Sequence, residues 1–169
     1  VFFCPRDQIT FTINTVERTT WLQFSKYHYL SDKLPGGSIY CFGIFLNNQQ
    51  IGFQCFANYT PNREGAKRIY HSNRTVIHPD YAGLGLGIKL INLTSQYMIE
   101  NYPVRIMAKF SSTPVYKAMI KQQCWKYLDT KRLMGKMPKG SNLERRSGFR
   151  EYGIKTYHFE YIGTKDIKN

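Results

Sequence analysis

The pattern of hydrophobic and polar positions along the chain predicts a sheet accompanied by three helices. Alternation of period two, or a short apolar run between turn residues, predicts strands, and apolar positions at helical spacing predict helices. The predicted strands cover residues 9–16, 38–46, 50–59, 69–77 and 104–110, a segment that begins at 125–128, and residues 156–162. The predicted helices cover residues 21 to about 27, about 84 to 100, and 114 to about 123.

These elements follow one another as β, α, β, β, β, α, β, α, β, β. The order predicts a mixed sheet with helices on its faces, of α/β or α+β class. Asn47 and Asn48, between two apolar runs, predict a hairpin because Asn tolerates a positive φ. Residues 58–67 are a polar connection, and residues 131–150 form a loop of about twenty residues whose length favours a functional or disordered segment.

Three glycines, Gly83, Gly85 and Gly87, stand between the strand that ends at Ile77 and the second predicted helix. Each would weaken a helix interior by about 1 kcal/mol relative to Ala, which indicates that the backbone must carry no side chains at these positions. N–H groups at the start of a helix lack intrahelical partners and lie at the positive end of the helix dipole. The stretch therefore predicts a strand, a phosphate loop and a helix that together hold an anion.

The charge of the chain points to an anionic partner. Its 24 Lys and Arg residues outnumber 11 Asp and Glu residues, for a formal net charge of +13. This excess favours nucleic acid, an anionic cofactor, or both, and a basic surface without such a partner is the alternative. The long loop would suit a phosphate backbone, with a solvated loop as an equal alternative. Its basic residues are Lys131, Arg132, Lys136, Lys139, Arg145, Arg146 and Arg150.

The remaining composition narrows the class of protein. The four cysteines are Cys4, Cys41, Cys55 and Cys124. They lie far apart without a C-x-x-C pair, so we expect reduced, mostly buried thiols and neither a disulfide framework nor a metal site. Without an apolar run of roughly 20 residues or a signal-peptide pattern, we expect a soluble cytoplasmic protein with no membrane partner. Residues 1–169 are expected to form one domain, and a piece of a longer polypeptide stays an alternative because the chain begins with Val1.

This order of elements, with a glycine loop between the fourth strand and a long helix, resembles the GNAT acyltransferase superfamily. Residues 76–90 are similar to its acyl-CoA motif, in which Arg or Gln is followed by x-x-Gly-x-Gly or Ala. Gly85 and Gly87 match the motif glycines, whereas Ala82 stands at the Arg or Gln position. A dinucleotide-binding fingerprint has a different glycine spacing and a later acidic residue that this chain lacks.

The resemblance implies a single GNAT-like domain of α/β (α+β) class, with a mixed, mostly antiparallel sheet and helices on both faces. It also implies acetyl-CoA or another acyl-CoA as cofactor, with the pyrophosphate on the loop N–H groups and the pantetheine arm between two diverging strands. Lys89 could supply the charge that Ala82 lacks. The implied cofactor-binding residues are Val76, Ile77, Ala82, Gly83, Leu84, Gly85, Leu86, Gly87, Ile88 and Lys89.

Residues 21–30 and 74–80 narrow the resemblance to GNAT-like proteins related to the phage Mom enzymes, which modify adenine in DNA. A target base in a duplex must leave the stack and enter a pocket. The implied substrate-binding residues are Trp21, Tyr27, Arg74, Ser111 and Ser112. For Ser111 and Ser112, capping of the third helix is the first interpretation and substrate or pantetheine contact the second.

Three residues, His28, Tyr29 and Tyr116, are candidates for catalysis. His28, between Tyr27 and Tyr29, is the candidate base because imidazole titrates near neutrality, and a core or surface histidine is the alternative. Many family members carry a Tyr acid where Ile120 stands here, so Tyr116 is a substitute, with a ring packed on the sheet as the alternative.

Other titratable residues near the motif have structural interpretations. We expect His78 to shape the end of its strand and Asp80 to cap the loop, although either could act near the cofactor. His71 and His158 are expected to be exposed strand residues.

Together with the resemblance, these features predict an acyl-CoA-dependent N-acyltransferase acting on an amine, whose preferred acceptor is a nucleic acid base or another polyanionic macromolecule. The alternatives are acetylation of a protein lysine or small amine, and a catalytically inactive nucleic-acid-binding module on the same scaffold. Neither the acyl group nor the oligomeric state follows from the sequence.

Overall fold

The computed structural model of the chain describes residues 10–28, 33–58, 67–132 and 155–163. These residues form a seven-stranded sheet, and the strands lie close to their predicted positions. The strands are β1 (Phe11–Thr15), β2 (Ile39–Leu46), β3 (Gln49–Asn58), β4 (Arg68–Ile77), β5 (Val104–Phe110), β6 (Trp125–Arg132) and β7 (Lys155–Tyr161).

The strands are ordered β1-β2-β3-β4-β5-β7-β6 across the sheet. Every neighbouring pair is antiparallel except β4 and β5, which are parallel and are connected through a helix. The last strand therefore lies between β5 and β6. The prediction of a mixed, mostly antiparallel sheet is confirmed.

Three α-helices accompany the described strands: α1 (Trp21–Phe24), α2 (Leu86–Asn101) and α3 (Thr113–Met119). Short 3-10 turns, Arg18–Thr20 and Ser25–Tyr27, flank α1, so the predicted first helix is one turn of α-helix between two tighter turns. None of the described helices is long and apolar enough to cross a membrane.

The third helix is shorter than predicted. Ser112 caps its start by accepting a hydrogen bond from the N–H of Val115, and Pro114 lies in the first turn as expected. The helix ends at Met119 rather than near residue 123, because the N–H of Gln122 donates to the carbonyl oxygen of Met119 in a tighter turn that leads into β6.

The helices pack on opposite faces of the sheet, as predicted. On one face, α1 contributes the first two residues of a buried cluster: Trp21, Phe24, Cys41, Phe53, Cys55 and Val76. On the other face, α2 and α3 contribute to a larger cluster that includes Phe56, Tyr70, Ile91, Met98, Ile106, Ala108, Met119, Phe159 and Tyr161. Strands β2, β3 and β4 carry residues of both clusters, whereas the buried residues of β5, β6 and β7 belong to the larger cluster alone. This pattern of burial fixes the register of the sheet.

Several local predictions are also resolved. Asn47 and Asn48 adopt positive φ values of 48° and 65° in the β2–β3 hairpin, as expected. The three described cysteines are free and buried, and Cys4 lies outside the described residues. Lys131 belongs to β6 rather than to the basic loop, and so does Arg132. The other predicted loop residues, 133–150, and most of the polar connection, 59–66, lie outside the described residues.

Gly52, in β3, generates a stability prediction. A Cβ there would lie 2.7 Å from Ile77 Cδ1, 2.8 Å from Ile44 Cγ2 and 2.8 Å from the carbonyl oxygen of Val76, which cannot rotate away. Gly52→Ala should therefore lower the free energy of unfolding by about 1–3 kcal/mol in urea denaturation. The matched control is Gly36→Ala, where no atom lies within 4 Å, and its effect should stay within about 0.5 kcal/mol. Equal stability of the two variants would contradict this packing.

Candidate functional site

A cleft opens between β4 and β5 because the two parallel strands pair over only part of their length. Pairing runs from Arg68 opposite Val104 to Ser72 opposite Ala108. Beyond that point β4 continues to Ile77 without β5 as a neighbour. The five residues 73–77 correspond to about 17 Å of strand, so the cleft opens over this length toward the carboxyl ends of both strands.

A β-bulge lies where the strands part. Cys55 of β3 pairs with Arg74 while Phe56 pairs with Ser72, which leaves Asn73 as an extra residue in β4. A bulge bends its strand and increases the local twist. The bend occurs directly after the last β4–β5 pair, so it turns the end of β4 away from β5.

Gln54 of β3 holds both sides of this bulge. Its side chain is fully buried. The amide Nε2 donates to Ser72 Oγ over 3.0 Å, and Thr75 Oγ1 donates to Gln54 Oε1. Sequence reasoning missed this residue, although a single amide within the apolar run of residues 51–57 was a signal that a buried polar partner existed.

The glycine loop follows β4 and leads into α2, as predicted. Gly83 and Gly85 have φ values of +81° and +74°, and no atom lies within 4 Å of a Cβ built on either, so both need glycine while the space above them is open. The first intrahelical hydrogen bond runs from the N–H of Lys89 to the carbonyl oxygen of Gly85. The N–H groups of Leu86, Gly87 and Ile88 therefore have no partner within α2, and they can bind an anion.

The predicted cofactor residues divide by exposure. The residues at the mouth of the cleft are exposed: Ala82, Gly83, Leu84, Gly85 and Lys89. The side chains of Val76 and Leu86 are buried in the core, and Ile77, Gly87 and Ile88 are partly exposed. The buried members can thus offer only their main chain.

Trp21, His28 and Arg74 form a cluster beside the bulge, on the α1 face. The Arg74 guanidinium donates to Asn73 Oδ1 over 2.7 Å and lies 5.9 Å from the ring of Trp21. Trp21 and Arg74 are 2% and 7% exposed, so both support the surface from behind, and a direct substrate contact by either stays a prediction.

His28 meets the edge of Trp21, with 5.6 Å between ring centroids. Burial, together with the nearby Arg74 cation, lowers the pKa of His28 to about 4. The ring is therefore neutral at pH 7 but is a weak base there. Its predicted role as catalytic base stays untested, and the neighbouring Tyr29 lies outside the described residues.

Tyr27 and His78 join the end of the first helical segment to the start of the glycine loop. Tyr27 Oη lies 3.1 Å from His78 Nε2, and the N–H of Asp80 donates to His78 Nδ1 over 3.4 Å. Because Nδ1 accepts this hydrogen bond, the ring N–H lies on Nε2 and donates to Tyr27 Oη. Contrary to the prediction, His78 rather than Asp80 caps the turn that follows β4.

At the end of β5, Ser111 is exposed and Ser112 caps α3, which agrees with the first interpretation of these serines. Tyr116 stacks on Tyr157 of β7, with 4.1 Å between ring centroids and an interplanar angle of 20°. The packed-ring interpretation of Tyr116 therefore describes its position, and a role as general acid stays a prediction. Ile120 is half exposed at the end of α3.

His71 and His158 are half-buried, so the prediction that they are exposed was wrong. Burial lowers the pKa of both rings. His158 Nδ1 lies 3.2 Å from Asp129 Oδ1, and its Nε2 lies 3.2 Å from Thr156 Oγ1. Sequence reasoning missed this arrangement because it depends on β7 lying between β5 and β6, which no local pattern reveals.

No protein-family model matches the chain, and no curated protein matches it in sequence. Solved structures do resemble it. The ribosomal-protein-S18-alanine N-acetyltransferase of Escherichia coli has a TM-score of 0.62 at 12% identity, over 95% of this chain and 99% of that chain. NAA60 of Arabidopsis thaliana, in complex with a bisubstrate analogue, has a TM-score of 0.63 at 11% identity, over 90% and 97%. A GNAT-family acetyltransferase of Streptococcus pneumoniae has a TM-score of 0.58 at 11% identity, over 89% and 98%.

These similarities extend over nearly the whole of each chain, with sequence identities too low to show more than the fold. The chain therefore has the fold of the GNAT acetyltransferases, as the glycine motif and the order of elements predicted.

The lowered pKa of His28 predicts a pH-dependent stability. As the pH falls below 6.5, the unfolded state binds a proton that the folded state resists until about pH 4. The stabilisation from neutral His28 is thus complete above pH 6.5 and is lost toward pH 4. Because the ring is about half exposed, solvent screens this effect, and the loss in the free energy of unfolding is about 1–2 kcal/mol.

His28→Gln should remove this part of the pH dependence. The difference in unfolding free energy between about pH 7 and about pH 4.5 should be smaller in the variant by that amount, measured by urea denaturation. Identical pH dependence in both proteins would show that the ring is not held in its neutral form.

Proposed function

We propose that the chain is a GNAT-type N-acyltransferase that transfers an acyl group from acetyl-CoA or another acyl-CoA to an amine. The observation that carries this proposal is the set of N–H groups at the start of α2 that have no partner within the helix, directly at the mouth of the β4–β5 cleft. Such groups suit a pyrophosphate, and the cleft behind them suits a long, narrow arm that ends in a reactive group.

The geometry of the cleft fits the parts of an acyl-CoA in order. The N–H groups from Gly83 to Ile88 would hold the pyrophosphate, with the positive end of α2 and the exposed Lys89 adding attraction. Beyond Ser72, β4 continues to Ile77 without β5 beside it, and its main chain there would pair with the amides of the pantetheine arm. The thioester, at the far end of that arm, would then lie near the closed end of the cleft.

Two of the similar structures support the choice of cofactor. NAA60 of Arabidopsis thaliana was solved with acetyl-CoA, and Naa50 of the same plant was solved with a bisubstrate analogue that joins CoA to an acetylated peptide. The loop of this chain lacks the side chain of the motif's Arg or Gln, since Ala82 stands there. Binding here would rest on main-chain donors.

For the acceptor we favour a nucleic acid base, such as the exocyclic amine of adenine in DNA. The support is the net charge of +13, which attracts a polyanion. An exocyclic amine is already neutral, so positioning matters more than prior deprotonation. Acetylation of a protein or small amine is the second candidate, supported by the similarity to an enzyme named for the alanine of ribosomal protein S18. A scaffold that binds nucleic acid without catalysis is the third.

The role of the loop N–H groups can be tested at Gly87 with a matched pair of variants. Gly87→Pro removes one N–H in the first turn, where proline is tolerated, whereas Gly87→Ala keeps it and places its Cβ at an ordinary 3.8 Å from Ile77 Cγ1. A hydrogen bond to a charged group contributes about 1.5–3 kcal/mol, so Gly87→Pro should bind CoA about 10- to 100-fold more weakly in calorimetry. Gly87→Ala should bind as the wild type does.

Thermal unfolding of the wild type in the presence of CoA tests the cofactor itself. A hundredfold excess of CoA over its dissociation constant should stabilise the wild type by about 2.7 kcal/mol. A wild type that does not change its melting temperature with CoA or acetyl-CoA would contradict acyltransferase activity and favour the inactive scaffold.

The acceptor proposal predicts salt-dependent binding to DNA. Fluorescence anisotropy with a labelled duplex should give a line of log affinity against log salt that falls by about 0.9 for each phosphate neutralised. The control is an uncharged-backbone oligonucleotide of the same sequence, which should bind weakly and without this slope. A flat line for the duplex would exclude the nucleic acid acceptor and leave the protein or small amine.

A further inference from the structure

The open part of the α1 face carries a row of titratable side chains across β5, β7 and β6. Phe159 and Tyr161 of β7 are buried with α2 and α3, so His158 between them lies on the opposite face. Lys109 of β5 pairs directly with His158, and Asp129 of β6 pairs with it from the other side. The side chain of His158 is 21% exposed, so the ring is sheltered yet reachable.

This row lies at the closed end of the cleft. The last paired residues of β4 and β5 are Ser72 and Ala108, and Lys109 is the next residue of β5. His158 is its neighbour on β7. The proposed position of the thioester is this same end, because the glycine loop lies at the other.

We propose that His158 accepts the proton that the acceptor amine loses during acyl transfer, and that Asp129 and Thr156 position its ring. The inference rests on the proposed acyltransferase function and names a proton acceptor on β7, a strand that carries none of the sequence-predicted catalytic residues. Asp129 and Thr156 are positioning residues, since they act through His158.

The step balances as follows for an amine that arrives protonated. The ammonium gives one proton to Nε2 of neutral His158, and the freed nitrogen forms a bond to the thioester carbon. The carbon–sulfur bond breaks, and the second proton of the nitrogen goes to the departing sulfur of CoA. His158 then releases its proton to solvent. A neutral exocyclic amine loses only one proton: after the nitrogen has attacked, His158 takes that proton and the carbon–sulfur bond breaks. The sulfur leaves as a thiolate, which receives the proton from His158, and the second N–H stays on the amide.

The neighbours of His158 suit both of its protonation states. Asp129 Oδ1 lies 3.2 Å from Nδ1 without hydrogen-bond alignment, and its negative charge favours a proton on Nδ1, which leaves the lone pair on Nε2. Thr156 Oγ1 lies 3.2 Å from Nε2 and 3.3 Å from the carbonyl oxygen of Lys131. When the hydroxyl donates to that carbonyl instead of to Nε2, the lone pair of Nε2 is left for the amine proton.

The surroundings of His158 shift its pKa in opposite directions. Burial lowers the pKa of His158, Asp129 raises it, and Lys109 and Lys131 lower it. His71 on β4 faces the same group, since His158 and Lys109 contribute to lowering the pKa of His71. The ring is thus neutral at pH 7, while the Asp129 carboxylate stabilises the ring once it is protonated.

Bromoacetyl-CoA tests this placement without knowledge of the acceptor. On the full chain, a ring nitrogen that lies beside the acyl group displaces bromide, forms a nitrogen–carbon bond and loses its proton to the buffer. Peptide mapping by mass spectrometry should find the label on His158, and saturating acetyl-CoA should suppress it. His158→Gln should lose this label while still gaining thermal stability from CoA. His71→Gln, a matched histidine change on the same face, should still be labelled at His158.

The pH dependence of the labelling rate tests the role of Asp129. Labelling needs the neutral ring, so its rate should rise with pH through the pKa of His158. Asp129→Asn removes the charge that raises this pKa, and the pH of half-maximal labelling should fall by about one unit. An unmoved profile would overturn the positioning role of Asp129.

The failures of the two proposals differ. If CoA stabilises the protein but the acetyl-CoA-sensitive label lies on another residue, or no label forms, the assignment of His158 is overturned while the cofactor proposal stands. If CoA gives neither thermal stabilisation nor protection from labelling, the acyltransferase proposal fails, and the role of His158 fails with it.

Discussion

The candidate site depends on the separation of β4 from β5, and that separation depends on the bulge at Asn73. The buried amide of Gln54 holds Ser72 on one side of the bulge and Thr75 on the other. An amide sealed in an apolar core is costly unless its hydrogen bonds are made, so these contacts favour the bent form of β4 over a straight one. A straight β4 would continue to pair with β5 and close the cleft.

The same bend organises both faces of the sheet. On the α2 face it leaves room at the start of α2, where N–H groups without a partner in the helix can receive an anion. On the α1 face it brings Arg74 beneath Trp21, where the guanidinium binds the carbonyl oxygen of Lys33 and thereby holds the segment that follows the first helix. One irregularity in a strand therefore positions a loop on one side and a helix on the other.

The sequence predicted those features that short-range patterns encode. Alternation placed the strands, the three glycines placed the loop before α2, and Asn47 with Asn48 placed the hairpin. Features that depend on pairing between distant segments were missed: Gln54 opposite the bulge, and His158 beside Asp129. Nothing near His158 in sequence indicates that β7 inserts between β5 and β6, because register is decided by packing across the sheet.

Two half-buried histidines on the α1 face show how this long-range pairing decides chemistry. His28 has a cation, Arg74, as its electrostatic neighbour, and the cation adds to burial in opposing protonation. His158 has a carboxylate, Asp129, which works against burial. A proton acceptor must be neutral before the reaction and stabilised once it is charged. Of these two rings only His158 has a nearby anion, so the charges around it favour the proton-accepting role that we propose for it, and the role of His28 as base stays a prediction.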